Sequence, residues 1–200
     1  MKRYSQLDEL LTHIWEEVEL GAKQAEHPYH APSFATLGKE GVNLRTVILR
    51  VVEKESRTLL FHSDRRAGKI KDIINNSRIS WLFWNPSNKQ QVRFCGEAKL
   101  HFDDELANYL WNNSSPQSLK LYVKPIAPNT IVAEPSSGLV KEIATANLTN
   151  LKQVAAGREN FAVIETVINK IDFLHLHSEG SYRAVFRWKE GEFKGNWIIP

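Results

Sequence analysis

The chain has 200 residues, 42% of them hydrophobic and 10% aromatic, with ten Gly and eight Pro, which excludes a disordered or fibrous chain and allows a sizeable core. Its single cysteine, Cys95, excludes an internal disulfide framework and any Cys-rich zinc or iron–sulfur centre, and points to a reducing compartment. With 26 Lys and Arg against 23 Asp and Glu the formal charge is only +3, too small to imply nucleic acid by itself, so the placement of the cations matters more than their sum.

The opening Met1-Lys2-Arg3-Tyr4-Ser5 lacks the apolar region of a signal peptide, and no run of 18 apolar residues follows, so a cytoplasmic protein without a membrane span is expected. Leu7, Leu10, Leu11, Ile14, Trp15 and Val18 recur at helical spacing, and Ser5 with Asp8 resembles a capping box at the start of that helix. Pro28 and Pro32 end the pattern, because proline lacks an amide donor and pushes its predecessor out of helical angles. Residues 1–31 thus read as an N-terminal helix and linker.

Strand-like runs follow at 33–37, 42–52, 58–62, 78–84 and 91–102, interrupted by helical patterns at 67–76 and 104–112. A Pro-punctuated stretch at 114–138 reads as a long loop, and 148–156 as a helix ending at Gly157. Strands at 161–167, 171–177, 182–188 and 193–199 close the chain, with Glu190-Gly191 as a hairpin turn. Many short strands with peripheral helices predict one mainly β domain over 1–200, an antiparallel barrel or sandwich.

No G-x-G-x-x-G and no P-loop occurs, so a nucleotide would have to be held by side chains. Arg45 and Arg50 lie in one strand-like run an odd number of residues apart, so they face opposite sides unless a bulge reunites them; two edge arginines reaching solvent is the alternative. Around 61–71 a strand ends, Ser63 follows, and Arg66 and Lys69 flank a helix start, where unpaired amides and cations together suit a phosphate; a solvated basic helix start is the alternative. Trp81, Phe83 and Trp84 read as core aromatics, while Gln91 offers both a donor and an acceptor to the edge of a planar ring. His175 and His177 share a strand face but lack a third ligand, so a surface pair is expected and no metal site. No hydrolase motif is present, and no catalytic acid or base stands out, His62 being the nearest candidate.

The ordered set Arg45-Thr46-Val47-Ile48-Leu49-Arg50, Leu60-Phe61-His62-Ser63 with Lys69, Ile79-Ser80-Trp81-Leu82-Phe83-Trp84, Gln91-Val92-Arg93-Phe94-Cys95-Gly96, Tyr182-Arg183 and the terminal Trp197-Ile198-Ile199-Pro200 resembles the pyridoxamine 5'-phosphate oxidase-related family of FMN-binding split barrels. The resemblance spans about 32–102 and 161–200. It implies an antiparallel split β-barrel and a homodimer with FMN at the subunit interface. Arg45 and Lys69 would bind the FMN phosphate, with Arg66 nearby. Thr46, Val47, Ile48 and Arg50 would belong to the same FMN-binding set, His62 and Ser63 would line the site through backbone and hydroxyl, and Gln91 would contact the isoalloxazine. Arg183 would reach the flavin from the partner subunit, while Arg50 and Tyr109 would face the substrate.

Where the oxidase has an Arg-x-His before the late Arg, this chain reads Glu179-Gly180-Ser181, and Asn113 and Leu174 also depart from its pattern. Losing cationic ligands weakens a dianionic substrate. The expectation is therefore an FMN-dependent oxidoreductase on another small substrate. A genuine pyridoxamine phosphate oxidase is the alternative, as is a non-catalytic protein holding flavin, or haem through His62 or His175. Nucleic-acid binding through Arg65, Arg66, Lys69 and Lys71 is not expected.

Overall fold

The computed structural model describes residues 3–200; Met1 and Lys2 of the opening stretch lie outside the described residues. Helix α1 spans Leu7–Lys23 and buries Leu10, Ile14, Trp15 and Val18 as the spacing predicts. Its N-cap is Gln6, which makes no side-chain capping bond, so the expected box of Ser5 and Asp8 does not form. Asp8 and Glu9 instead occupy the first turn, where negative charge complements the helix dipole.

Nine strands among the described residues form one antiparallel sheet: β1 Ser33–Gly38, β2 Gly41–Thr46, β3 Val51–Glu53, β4 Thr58–Asp64, β5 Arg78–Asn85, β6 Gln90–His101, β7 Phe161–His175, β8 Tyr182–Lys189 and β9 Glu192–Ile198. Helices α2, Gly68–Asn75, and α3, Glu105–Asn112, fall where predicted, α3 capped by the Asp104 carboxylate on the Ala107 amide. The order β2-β1-β5-β6-β7-β4-β3 leaves the ladder open between β2 and β3, which follow each other in the chain. Residues 47–50 join them: the Val47 amide donates to Pro32 O at 3.0 Å, and the Arg50 amide to Leu60 O at 2.9 Å. The run expected as one strand over 42–52 is thus broken, because its halves pair with different neighbours.

The opposite correction applies near the C-terminus, where 161–167 and 171–177 are a single strand, β7, kinked by a bulge. Cys95 pairs with Lys170 but Gly96 with Ile168, leaving Asn169 outside the ladder. At this point the free edge of β7 changes partner, from β4 up to Val167 to β8 from Lys170 onward. That exchange is the split of the barrel.

Arg57 plugs the notch. Its carbonyl accepts the Ile168 amide at 2.9 Å, its Nη1 donates to Ile168 O at 2.9 Å, and its guanidinium lies 3.9 Å from the Trp188 ring centroid. Truncation would leave a buried carbonyl without its donor and remove the stacking, so Arg57→Ala is expected to cost about 2 kcal/mol in urea unfolding. A loss below about 0.5 kcal/mol, the range of an ordinary surface change, would show that the notch does not need its plug.

Two clusters of buried residues follow from strand alternation. Phe34, Phe61, Trp81, Phe83, Phe94, Phe173 and Phe186 fill the first with α1 against it, which confirms Trp81 and Phe83 as core while Trp84 remains 41% exposed. The second holds Leu60, Trp111, Leu119, Tyr122 and Phe161. The expected loop at 114–138 therefore contributes core residues: helix α4, Pro116–Leu119, and a 3-10 turn, Lys120–Tyr122, bury Leu119 and Tyr122. The helix expected at 148–156 is a 3-10 segment at Leu151–Asn160, and the hairpin at Glu190 and Gly191 forms with φ of 55° and 87°. No helix among the described residues is long and apolar enough to cross a membrane.

Candidate functional site

Alternation along β4 decides which side chains can meet. Leu59 and Phe61 enter the first cluster and Leu60 the second, so Ser63 and His62 leave the strand on opposite faces. On the Ser63 face, Lys69 reaches back from the first turn of α2 and donates its Nζ to Ser63 Oγ at 3.2 Å. Burial, reinforced by the nearby Arg45 charge, pushes the Lys69 ammonium below its usual range. Arg45, opposite Phe34 on β1, donates to Thr36 Oγ1 at 2.8 Å and lies 3.7 Å from Asp72. Burial raises the Asp72 carboxyl, but hydrogen bonds from Thr36 at 2.6 Å and Asn43 at 2.9 Å, with Arg45, overcome it and hold the group below the ordinary carboxylate range.

Arg45 and Lys69 thus form a cation pair in which Asp72 stands against Arg45 and Asp64 is the carboxylate felt by Lys69. Asp64 is already taken by Arg66 through Nε at 3.0 Å, Nη2 at 2.8 Å and the backbone amide at 2.9 Å. Arg66 also donates to Lys124 O at 3.0 Å, so it ties the 123–140 segment to the end of β4 rather than aiming at the Lys69 pair. The unbalanced charge of Lys69 and Arg45, with the Ser63 hydroxyl and the N-terminus of α2, is a donor set for an oxyanion.

On the other face, His62 packs edge-on against Phe161 at 4.8 Å, a ring that also touches Tyr122 at 5.1 Å and Trp111 at 5.2 Å. Its Nε2 is buried with no hydrogen-bond partner. Burial, with Arg50 adding, pushes the imidazole down to about 4, so the ring is neutral at neutral pH. The unfolded chain then binds a proton between its ordinary value of about 6.5 and about 4 that the folded chain refuses, and stability falls as pH drops through that window. Wild type is expected to lose about 2 kcal/mol more than His62→Phe between pH 7 and pH 5. Equal losses in urea unfolding would mean that the imidazole is hydrated.

The break at 47–50 does not reunite the two arginines. Val47 and Leu49 turn inward with the parity of Arg45, while Thr46, Ile48 and Arg50 emerge on the exposed side. Arg45 meets Thr36 and Asp72, whereas the charge of Arg50 is felt by His62 and Tyr122. Tyr122 and the carboxylates Asp64, Asp72 and Asp172 escaped the sequence reading. A lone acid inside the apolar run Ile171-Asp172-Phe173 was the available signal for Asp172.

Gln91, Leu174 and Arg183 stand in one cross-strand row with Trp84 and Ile198, on the outward face of the sheet, while Val92, Phe173 and Ala184 beside them face the core. One position along, Asp172 accepts Arg183 Nε at 2.9 Å and Nη2 at 2.8 Å, and Arg93 Nη2 at 2.5 Å. Burial raises that carboxyl, yet the two guanidiniums win and hold it below its usual range. At the far edge of the same face, on β1 and β2, apolar side chains are open, Val42 68% and Leu44 64% exposed and Leu37 beside them.

Tyr109 is exposed on α3, and the Asn113 amide that departs from the expected Arg bonds its carbonyl at 2.8 Å. The predicted surface histidine pair is half right: His177 is exposed, but His175 is buried in contact with Tyr182 at 5.0 Å. No group of three or more His, Cys, Asp or Glu among the described residues is placed to hold a metal ion.

Residues 9–102 match the family model for the pyridoxamine 5'-phosphate oxidase FMN-binding domain. Among solved structures, a pyridoxamine 5'-phosphate oxidase-related, FMN-binding protein from Nostoc punctiforme superposes with a TM-score of 0.72 at 17% identity, over 100% of both chains. PhzG from Burkholderia lata, solved with tetrahydrophenazine-1-carboxylic acid, gives 0.70 at 15% identity, over 100% of this chain and 95% of its own. At these identities the likeness is one of fold: a mostly antiparallel, unclosed sheet of the FMN-binding split-barrel kind. None of the curated proteins matches.

Proposed function

From the match of residues 9–102 to the model of the pyridoxamine 5'-phosphate oxidase FMN-binding domain, we propose an FMN-binding flavoprotein acting as an oxidoreductase on a small substrate. The observation that carries this reading is the pairing of Lys69 with Arg45 beside Ser63, two neighbouring cations whose mutual repulsion an oxyanion would relieve. The donor set fits a phosphate monoester: Arg45 and Lys69 supply charge, Ser63 a hydroxyl, and α2 its first amides. Thr46 and Ile48 on the exposed side of the break, and the backbone of His62, would flank the remainder of the cofactor. Bound FMN would supply hydride or electron transfer, which no side chain here can perform.

The chain's own part is to hold and screen. Gln91, with one amide donor group and one acceptor, suits the edge of a planar ring, and Arg183, fixed by Asp172, presents a guanidinium in a set orientation. These two stand on the outward face, whereas Arg45 and Ser63 stand on the core-facing side. A single ligand would meet both sets if a second copy brought its outward row to the mouth of the first barrel. The exposed Val42, Leu44, Leu37 and Trp84 of that face favour a homodimer with interfacial sites. Arg50, whose charge is felt by His62, would meet a substrate on that side, and Arg66, bonded to Asp64, would serve as a latch more than as a phosphate ligand. Titrating the purified protein with FMN and following flavin fluorescence tests this reading: saturable quenching supports it, and no binding at micromolar FMN removes it.

A further inference from the structure

Two adjoining cavities, of about 350 Å³ and 190 Å³, share Arg3 and Tyr182 as walls. The larger is completed by Arg183 and Trp197, among others, and the smaller by His177 and Glu179. We propose that this cleft binds a small planar aromatic monoanion, a carboxylate rather than a phosphate.

The walls supply the planar part. Tyr182 and Trp197 meet edge to face at 5.8 Å and 61°, and Trp197 is 40% exposed, so a flat apolar surface awaits a ring. Arg3 lies over Tyr182 with its guanidinium 5.3 Å from the ring centroid. A guanidinium stacked in this way keeps its N–H donors in its own plane, where the two oxygens of a carboxylate can meet them. A second donor comes from His177. Its Nδ1 accepts the Glu179 amide at 3.1 Å, which in the neutral ring leaves the hydrogen on Nε2.

Charge then selects between anions. Arg183 reaches the larger cavity, held bidentately by Asp172 at 2.9 and 2.8 Å, but Asp172 also accepts Arg93, so the triad keeps one net positive charge. His175, behind Tyr182, is pushed below the ordinary histidine range by burial and by His177, so it adds no cation at neutral pH. Glu179 brings a negative charge. Among the described side chains that line the two cavities, Arg3 and the Arg183 triad bring two positive charges against Glu179, a net of one that matches a monoanion and leaves a phosphate dianion with one charge unmatched. The combined space lies at the lower end of small-molecule sites and suits a single ring with its acid group.

The binding stands independently of the flavin; its role as the substrate end of an FMN site rests on the reading above. Benzoate, benzamide and phenyl phosphate, titrated into untagged protein and followed by saturation-transfer NMR, test it, with FMN loading measured on the same samples. Benzoate is expected to bind about tenfold more tightly than benzamide or phenyl phosphate. Arg3→Gln should erase that advantage, and Lys189→Gln, outside the cleft, should keep it. Benzamide binding as well as benzoate, or an unchanged preference in Arg3→Gln, would overturn the proposal. FMN uptake without benzoate binding would also overturn it while sparing the flavin reading; benzoate binding without FMN uptake would do the reverse.

Discussion

Lys69→Met is expected to weaken FMN binding by about 100-fold and to leave the thermal stability of the FMN-free protein unchanged or higher. The two halves of this result have one cause. In the folded chain Lys69 is pushed toward its neutral form by burial first and by Arg45 second, so its charge opposes folding when no anion is present. Removing the charge relieves that repulsion. A bound phosphate reverses the balance, because a charge-assisted hydrogen bond contributes about 1.5–3 kcal/mol, or roughly 10- to 100-fold in affinity. Arg45→Met should weaken FMN by a similar factor but lower stability, since Arg45 also bonds Thr36 and steadies Asp72. Unaltered FMN affinity in both variants would place the phosphate elsewhere.

Gly96→Ala is expected to be the most damaging small substitution in the chain, costing more than about 3 kcal/mol, a large share of a typical 5–15 kcal/mol. Gly96 sits at the bulge where β6 crosses the split in the barrel. A Cβ there would run into the carbonyl oxygen of Val167 and lie 2.8 Å from its carbon and 3.0 Å from Ile168 Cα. These are backbone atoms held by β4 and Arg57, so they cannot step aside as a side chain would. The neighbouring exposed Glu97→Ala should change stability by less than about 0.5 kcal/mol. Comparable urea midpoints for the two variants would contradict the close approach.

The elements that sequence periodicity located are those whose residues face one environment throughout, such as α1 with its apolar stripe and β5 with Trp81 and Phe83 turned inward. Its failures fall where pairing partners change along a run. Residues 42–52 keep strand composition, yet their halves pair with β1 and β4; residues 161–175 hold Asn169 outside the ladder yet continue as one strand because β6 accompanies them from Val163 to His175, across the change of partner. Partner exchange is a tertiary property that local pattern does not carry. The 114–138 stretch misled for another reason: its prolines signal a loop, but Leu119 and Tyr122 anchor it in the second cluster.

At the site, the cations were legible and their counterions were not. Arg45, Lys69 and Ser63 come together much as a strand end followed by a helix start suggests. Arg66, two residues after Asp64, folds back on that carboxylate, a local competition that makes it a latch. Arg183 needed Asp172, a residue eleven positions away whose role emerges only in the register of β7 and β8. His62 and Ser63 diverge because adjacent strand residues must, and Cys95 remains a lone thiol on the outward side of β6.

The account rests on a flavin held by its phosphate, and the visible absorption of the protein after incubation with FMN and gel filtration tests that most directly. It predicts a yellow protein peak with flavin absorption equimolar to the chains, eluting at the size of a dimer. A colourless protein peak, with all flavin in the small-molecule fractions, would contradict it.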